Sequence, residues 1–369
     1  MALNLGIEIS NQKTQTISMN KGTYVKFEFP GKALELIEEE LPPLKEGEIL
    51  VKNTFTILCR SDLHTYKGLR KEKCPTILGH EVTGYIVSFG PESERFDLRG
   101  EKLKMRDRIT WAIYASDPED LNSKRGLPQK AKNVFKYGHE QITKENNFHG
   151  GLSQFTIIRK NTPLVSLKHT VPEQVAALIN CSAATIAAAI RLAGDLKNKH
   201  ILISGAGMLG VFGCAMASKF GASTVTSLDI NSHRLEIAKS FGAQETVRSV
   251  NDFKRKFDVI IETSGIPSVI SGTLLQMEIG GTAVWLGAVF PQDDLKINAE
   301  FIVRNLITIK GLHNYNKHDL VAAVEFVEQN MGQFDFGRLV VDGYGLSNVN
   351  DAFEFAINEN PFRVGIKIH

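Results

Sequence analysis

Residues Ile201–Gly213 read ILISGAGMLGVFG, an apolar run that breaks into glycines and resumes with a helical pattern. Gly205, Gly207 and Gly210 stand at G-x-G-x-x-G spacing directly after the predicted strand. There the first glycine makes a tight turn and the second lets backbone approach a pyrophosphate. The third lets the helix lie close on its sheet, and the helix N-terminus, at Met208 and Leu209, offers partial positive charge. The spacing alone is a weak signal. Asp229 strengthens it, falling 19 residues after Gly210 at the end of the next apolar run, where a ribose-binding carboxylate is expected. An acid there accepts from ribose hydroxyls and repels a 2′-phosphate, which favours NAD over NADP. His233 and Arg234 nearby leave NADP open. The competing reading is an ordinary tight turn with Asp229 as a helix cap.

Outward from this motif, Ile201–Ser204, Thr224–Asp229, Asp258–Glu262 and Thr282–Leu286 read as buried parallel strands. Helical patterns such as Leu209–Phe220 and Ser232–Phe241 lie between them, the alternation of a doubly wound α/β domain. After about Gly311 the alternation stops, and Lys317–Asn330 reads as one amphipathic helix before a tail ending in RVGIKI at Arg363–Ile368. Before Pro172 the texture is different. Short strands such as Glu48–Thr56, Glu81–Phe89 and Arg108–Ile113 are set off by turn residues. The expected fold class is α/β. A β-rich domain is built from both chain ends, 1–172 and 312–369, and a nucleotide-binding domain, 173–311, is inserted between them.

The chain's 369 residues fit two domains, and 43% hydrophobic with 23% charged residues is an ordinary globular composition. A formal charge of +2 without long Lys/Arg runs argues against nucleic acid or a membrane surface as the main partner. Four cysteines, Cys59, Cys74, Cys181 and Cys214, make no disulfide framework and suggest a reducing compartment where they are free or bind metal. The first 30 residues lack the apolar core of a signal peptide, so the expected location is cytoplasmic. His200–Ser218 is nearly the length of a membrane span, but its glycines favour a strand–turn–helix.

Two clusters in the first domain carry candidate chemistry: Cys59-Arg60-Ser61-Asp62-Leu63-His64, and Gly79-His80-Glu81 at the start of a strand. Cys181, in LINCSAAT, is a third candidate. Two thiolates and an imidazole from Cys59, His80 and Cys181 would suit zinc and leave a fourth position open for water or substrate. One at a time, each residue has a bland alternative, a buried thiol or a turn histidine.

CRSDLH at 59–64, GHE about 20 residues later, CSAAT at 181–185, GAGMLG at 205–210 and Asp229 together resemble the zinc-dependent medium-chain alcohol dehydrogenases over nearly the whole chain. The resemblance implies a GroES-like catalytic domain joined to a Rossmann domain. It implies Cys59, His80 and Cys181 as ligands of one catalytic zinc, with Glu81 behind the metal as an alternative ligand. Asp62 matches the carboxylate that orients the ligating histidine. Ser61 matches the hydroxyl that takes the alcohol proton, and His64 the solvent end of that relay, reached through the cofactor ribose. Arg60 and Arg363 match pyrophosphate contacts. Many members also hold a structural zinc on four cysteines. Here the corresponding positions are Asp117, Asp120, Ser123 and Ala131, so no structural zinc is expected.

GLPQK at 126–130 and KYGHE at 136–140 are similar to a subgroup associated with phosphonate catabolism. Lys130, Lys132, Lys136 and His139 would then cradle an anionic substrate, against the alternative of a solvated basic loop. The expected reaction is hydride transfer between an alcohol and NAD. The alternatives are a polyol or amino-alcohol dehydrogenase on the same scaffold, a zinc-free NAD(P)H reductase, or an NAD sensor. Leu306–Leu312 (LITIKGL) reads as a sheet edge, and the resemblance implies that it pairs in a homodimer or homotetramer. Leu63, Tyr66 and Ile113 are expected on the pocket wall.

Overall fold

The computed structural model describes residues 21–369; most of the signal-peptide reading therefore lies outside the described residues. Six parallel strands form one sheet in the order Glu245–Val247, Thr224–Leu228, His200–Ser204, Phe257–Glu262, Met277–Trp285, Thr308–Gly311. This is the doubly wound order 3-2-1-4-5-6, with its reversal beside the strand that ends in the glycine turn. Gly205 has φ +96°, and a Cβ on Gly210 would lie 1.8 Å from the Gly205 carbonyl oxygen. The helix Met208–Lys219 seats against the strand only because neither residue has a side chain. Gly207 is different: a Cβ there would meet nothing nearer than Arg234 Nη1 at 4.0 Å, so its backbone faces open space.

The second sheet has seven strands and draws on both chain ends. Its path is Val340–Gly345, Arg363–Lys367, Ile49–Leu58, Glu81–Phe89, Arg108–Trp111, Leu164–Ser166, with Phe155–Ile158 also pairing to Ile49–Leu58. The tail strand runs antiparallel to Ile49–Leu58, with Val364 opposite Leu58. That pairing returns Arg363 to the neighbourhood of Cys59.

Between the sheets lies the segment Glu173–Ala193, apolar enough in length and composition to cross a membrane but 83% buried within the protein over its most apolar window. Its middle, Ile179–Ala183, widens into a π turn that carries Cys181. Such one-turn bulges re-aim a side chain at the cost of regular hydrogen bonding. A Phe cluster joins the motif helix to the chain's return, with Phe212 stacked on Phe336 at 5.1 Å and Phe241 on Phe334 at 5.6 Å. The buried hydroxyl of Tyr315 donates to the Asn180 carbonyl and accepts from Ile113 N–H at 3.2 Å, fixing the 312–316 segment beside the π turn.

Candidate functional site

Cys59 precedes the helix Arg60–Tyr66, and the side chain of Asp62 folds back to accept from its N–H at 2.8 Å. The other Asp62 oxygen accepts from Gly79 N–H at 3.1 Å and lies 3.6 Å from His80 Nδ1. One buried carboxylate therefore fastens the CRSDLH turn to the GHE turn. His80 Nε2 faces the other way, 3.5 Å from Ser61 Oγ. Asn180 donates its amide to the carbonyls of His80 and Trp111, at 2.8 and 3.0 Å, and so docks the π turn onto the same strands.

As a result, donor atoms of Cys59, His80, Glu81 and Cys181 all lie within 4.8 Å of one another. A hydrogen bond from Cys181 holds the Cys59 thiol well below the ordinary thiol range despite burial, helped by Arg363 and His80. The Cys181 thiol is pushed up in turn. Burial lowers the His80 imidazole, but Asp62 and the Cys59 thiolate together raise it well above its ordinary value. Two soft sulfurs, an imidazole and a carboxylate at this spacing fit zinc. His80 turns Nδ1 to Asp62, which leaves Nε2 on the Ser61 side as the nitrogen that could hold a metal.

Glu81 is fully buried, and burial pushes its carboxyl up against the opposing pull of Arg363. Arg363 holds it bidentately, Nε to Oε2 at 2.9 Å and Nη2 to Oε1 at 3.0 Å, while Nη2 also reaches Ser182 Oγ at 3.0 Å. Its remaining nitrogen donates to the Phe362 carbonyl at 2.9 Å. Arg363, expected on a pyrophosphate, is thus committed to Glu81.

A cleft of about 830 Å³ opens from this cluster between the two sheets. Gly205, Gly207, Met208, Leu209 and Asp229 line it, as do Arg60, Ser61 and His64. Gly210 lies underneath, in the packing of helix on strand. Asp229 accepts from Ala206 N–H and from Asn231 N–H, each at 2.8 Å, which fixes its orientation at the strand end. Burial and the nearby charges of Arg234 and Arg363 lower the Arg60 pKa; with Arg363 spent on Glu81, Arg60 and Arg234 are the cations left facing the cleft here. Open backbone at Gly207, the N-terminus of a twelve-residue helix and excess positive charge fit a pyrophosphate.

Residues 45–167 match the model of the alcohol dehydrogenase GroES-like domain, and residues 209–329 match that of the zinc-binding dehydrogenases. The chain belongs to the zinc-dependent alcohol dehydrogenase family. L-threonine 3-dehydrogenase of Colwellia psychrerythraea is 27% identical over 333 residues, spanning 86% of this chain and 92% of the relative. The enzyme of the same name from Pseudoalteromonas translucida is 23% identical over 331 residues, 86% of this chain and 91% of its own. The crystal structure of an alcohol dehydrogenase from Thermotoga maritima superposes with TM-score 0.88 at 26% identity, covering 95% of this chain and all of that one.

Other parts of this dehydrogenase depart from the sequence reading. Leu63 and Tyr66, expected on the pocket wall, pack into the catalytic-domain core, Tyr66 lying 4.8 Å from the Phe353 ring; Ile113 does line the cleft. Lys136 and His139 line it too, whereas Lys132 is exposed and away from it. In the lobe, Asp120 accepts from the backbone N–H groups of Asn122 at 2.8 Å, Ser123 at 3.4 Å and Lys132 at 3.1 Å. Arg70, Phe290 and His313 reach the cleft from turns that carry no motif, and Arg234 reaches it from the helix Ser232–Ser240. Phe290 lies against His64, ring centroids 4.2 Å apart.

Proposed function

We propose that this dehydrogenase transfers a hydride between NAD and a small alcohol bearing an anionic group, with one catalytic zinc and no metal in the lobe. The observation that carries the reading is the Cys59, His80, Glu81 and Cys181 cluster at the inner end of the cleft whose outer part carries the glycine turn. When bound, zinc supplies Lewis-acid polarisation of the hydroxyl oxygen and the nicotinamide accepts the hydride. Ser61 Oγ, beside His80 Nε2, takes the hydroxyl proton. His64 serves as the outward proton acceptor: burial and the charge of Arg60 lower its pKa, so it is neutral and able to accept at pH 7. Asp62 holds the two ligand turns in register, and Arg60 and Arg234 bind the pyrophosphate. Asp229 selects NAD by its negative charge at the ribose.

A phosphonate-bearing alcohol is the finer substrate reading, supported by Lys136 and His139 on the cleft wall. An amino-alcohol substrate is the second reading, favoured by relatives named for L-threonine. We also assign the chain to the cytoplasm and to a homodimer or homotetramer. The test is Cys59→Ser. NAD-dependent oxidation of alcohols should fall below detection while NADH still binds, and turnover that survives would point to a zinc-free reductase.

A further inference from the structure

We infer that the substrate end of the cleft is a built site for a tetrahedral oxyanion, centred on Lys136 and completed by Arg70 and His313. The inference rests on the dehydrogenase reading and specifies its substrate: a short alcohol carrying a phosphoryl, phosphonyl or sulfonyl group.

The anomaly is Lys136. Its ammonium is partly buried on the cleft wall, and its hydrogen-bond partner is the neutral Asn314 Oδ1 at 3.3 Å. Among the described residues no carboxylate lies within salt-bridge distance of it. The two nearest acids are already engaged. Glu72 holds Arg70 Nε at 2.6 Å and accepts from His139 Nδ1 at 3.0 Å, while Glu140 holds Lys73 at 2.7 Å. Arg70, Lys73, Lys130 and Lys136 thus share two local carboxylates, Glu72 and Glu140. Withdrawing an ammonium from water without an anion is unfavourable, so a charge of opposite sign is missing from this wall.

The hydrogen-bonding geometry is that of a donor set. Lys130 lies behind the wall with its ammonium 2.5 Å from His313 Nδ1. An ammonium can only donate, so Nδ1 accepts and Nε2 is left as the N–H of a neutral ring. Burial and the charges of Lys130, Lys136 and Arg70 push His313 down to about 4, which keeps it in that form. Arg70 uses Nε on Glu72, leaving its two Nη groups for a ligand. Lys136, His313 and Arg70 then present an ammonium, an imidazole N–H and a guanidinium edge, all donors suited to a tetrahedral oxyanion.

The cofactor does not account for these charges. The cations acting on Arg60 at the glycine turn are Arg234 and Arg363, whereas those acting on His313 are Lys130, Lys136 and Arg70. Arg60 and Arg70 both act on His64, so the two groups share one cleft, with Lys130 and Lys136 on the His313 side of it. The second adjoins the metal-ligating residues, with the His139 ring 5.1 Å from the His80 ring. A substrate hydroxyl at Ser61 and an oxyanion at Lys136 would therefore be joined by a short carbon chain.

The test is calorimetric titration of the zinc-loaded, NADH-saturated protein with methylphosphonate, which has no hydroxyl to oxidise and finds the pyrophosphate site filled. One equivalent should bind per chain. Lys136→Met should weaken it roughly tenfold or more, with Lys136→Arg recovering most of the loss. Absence of saturable binding, or equal affinity in Lys136→Met with NADH binding retained, overturns the site. Oxidation of neutral alcohols without methylphosphonate binding would overturn the subsite and leave the dehydrogenase reading standing; Lys136-dependent binding without turnover of any alcohol would do the reverse. Turnover of 2-hydroxyethylphosphonate, its phosphate-ester analogue and its sulfonate analogue then shows which oxyanion the wall prefers. A preference for neutral 3,3-dimethylbutan-1-ol over all three overturns the proposal.

Discussion

Glu81 is a carboxylate at zero exposure, and the bidentate guanidinium of Arg363 is what neutralises it. Arg363→Met should leave that charge unpaired in the interior and destabilise the protein by about 3–5 kcal/mol in denaturant titration. A change within roughly 0.5 kcal/mol, the range of ordinary surface substitutions, would contradict the pairing. Asp229 presents its carboxylate from two backbone N–H contacts at the end of Thr224–Leu228. Asp229→Ala should weaken NADH binding about tenfold, with a smaller loss for NADPH, because the removed charge also repels a 2′-phosphate. Equal losses for the two cofactors would show that Asp229 does not discriminate between them. Residues of this kind were legible because their chemistry travels in short motifs: CRSDLH, GHE and the spacing from Gly210 to Asp229 are local patterns. Arg70 and His313 were not. Lys130 and His313 meet across 183 residues, so only the fold makes them neighbours.

At the scale of elements, the glycine turn is the tightest constraint. With a Cβ placed 1.8 Å from the Gly205 carbonyl oxygen, Gly210→Ala must push helix Met208–Lys219 off its strand. A loss of at least about 1–3 kcal/mol in stability is expected, with a parallel loss of NADH binding. An unchanged melting temperature would mean that the helix seats differently. The lobe gives a contrasting case. Asp120 gathers three backbone N–H groups in a region where many relatives of the resembled family hold a structural zinc. Asp120→Ala should therefore destabilise by about 1 kcal/mol, as for a lost helix cap, and added zinc should not restore it. Rescue by zinc would mean that the lobe binds metal. Periodicity served well for the regular elements: Glu81–Phe89 and Lys317–Asn330 have the expected ends exactly where apolar spacing and turn residues change. The π turn at Ile179–Ala183 was hidden, because a one-residue widening leaves an apolar helix pattern looking continuous.

For the whole molecule, the topology explains how distant ligands converge. The tail strand pairs back onto Ile49–Leu58, and Asn180 docks the π turn on the Glu81–Phe89 and Arg108–Trp111 strands, closing the cluster from three parts of the chain. The parallel sheet ends in Thr308–Gly311, beside Ile279, Val303 and Leu306 at 69%, 72% and 70% exposure. An uncovered strand edge with apolar neighbours suits pairing with a second copy. Sedimentation at micromolar concentration should give a multiple of 40.8 kDa, reduced to a single chain by Leu306→Asp; a lone 40.8 kDa species in the unaltered protein would refute the assembly. The most direct test of the central claim is elemental analysis of protein purified without chelator, read as zinc per chain in the unaltered protein and in Cys59→Ser. The account predicts one zinc per chain, lost in the variant while NADH binding persists. Two per chain would contradict the metal-free lobe, and none after zinc reconstitution would contradict the catalytic centre itself.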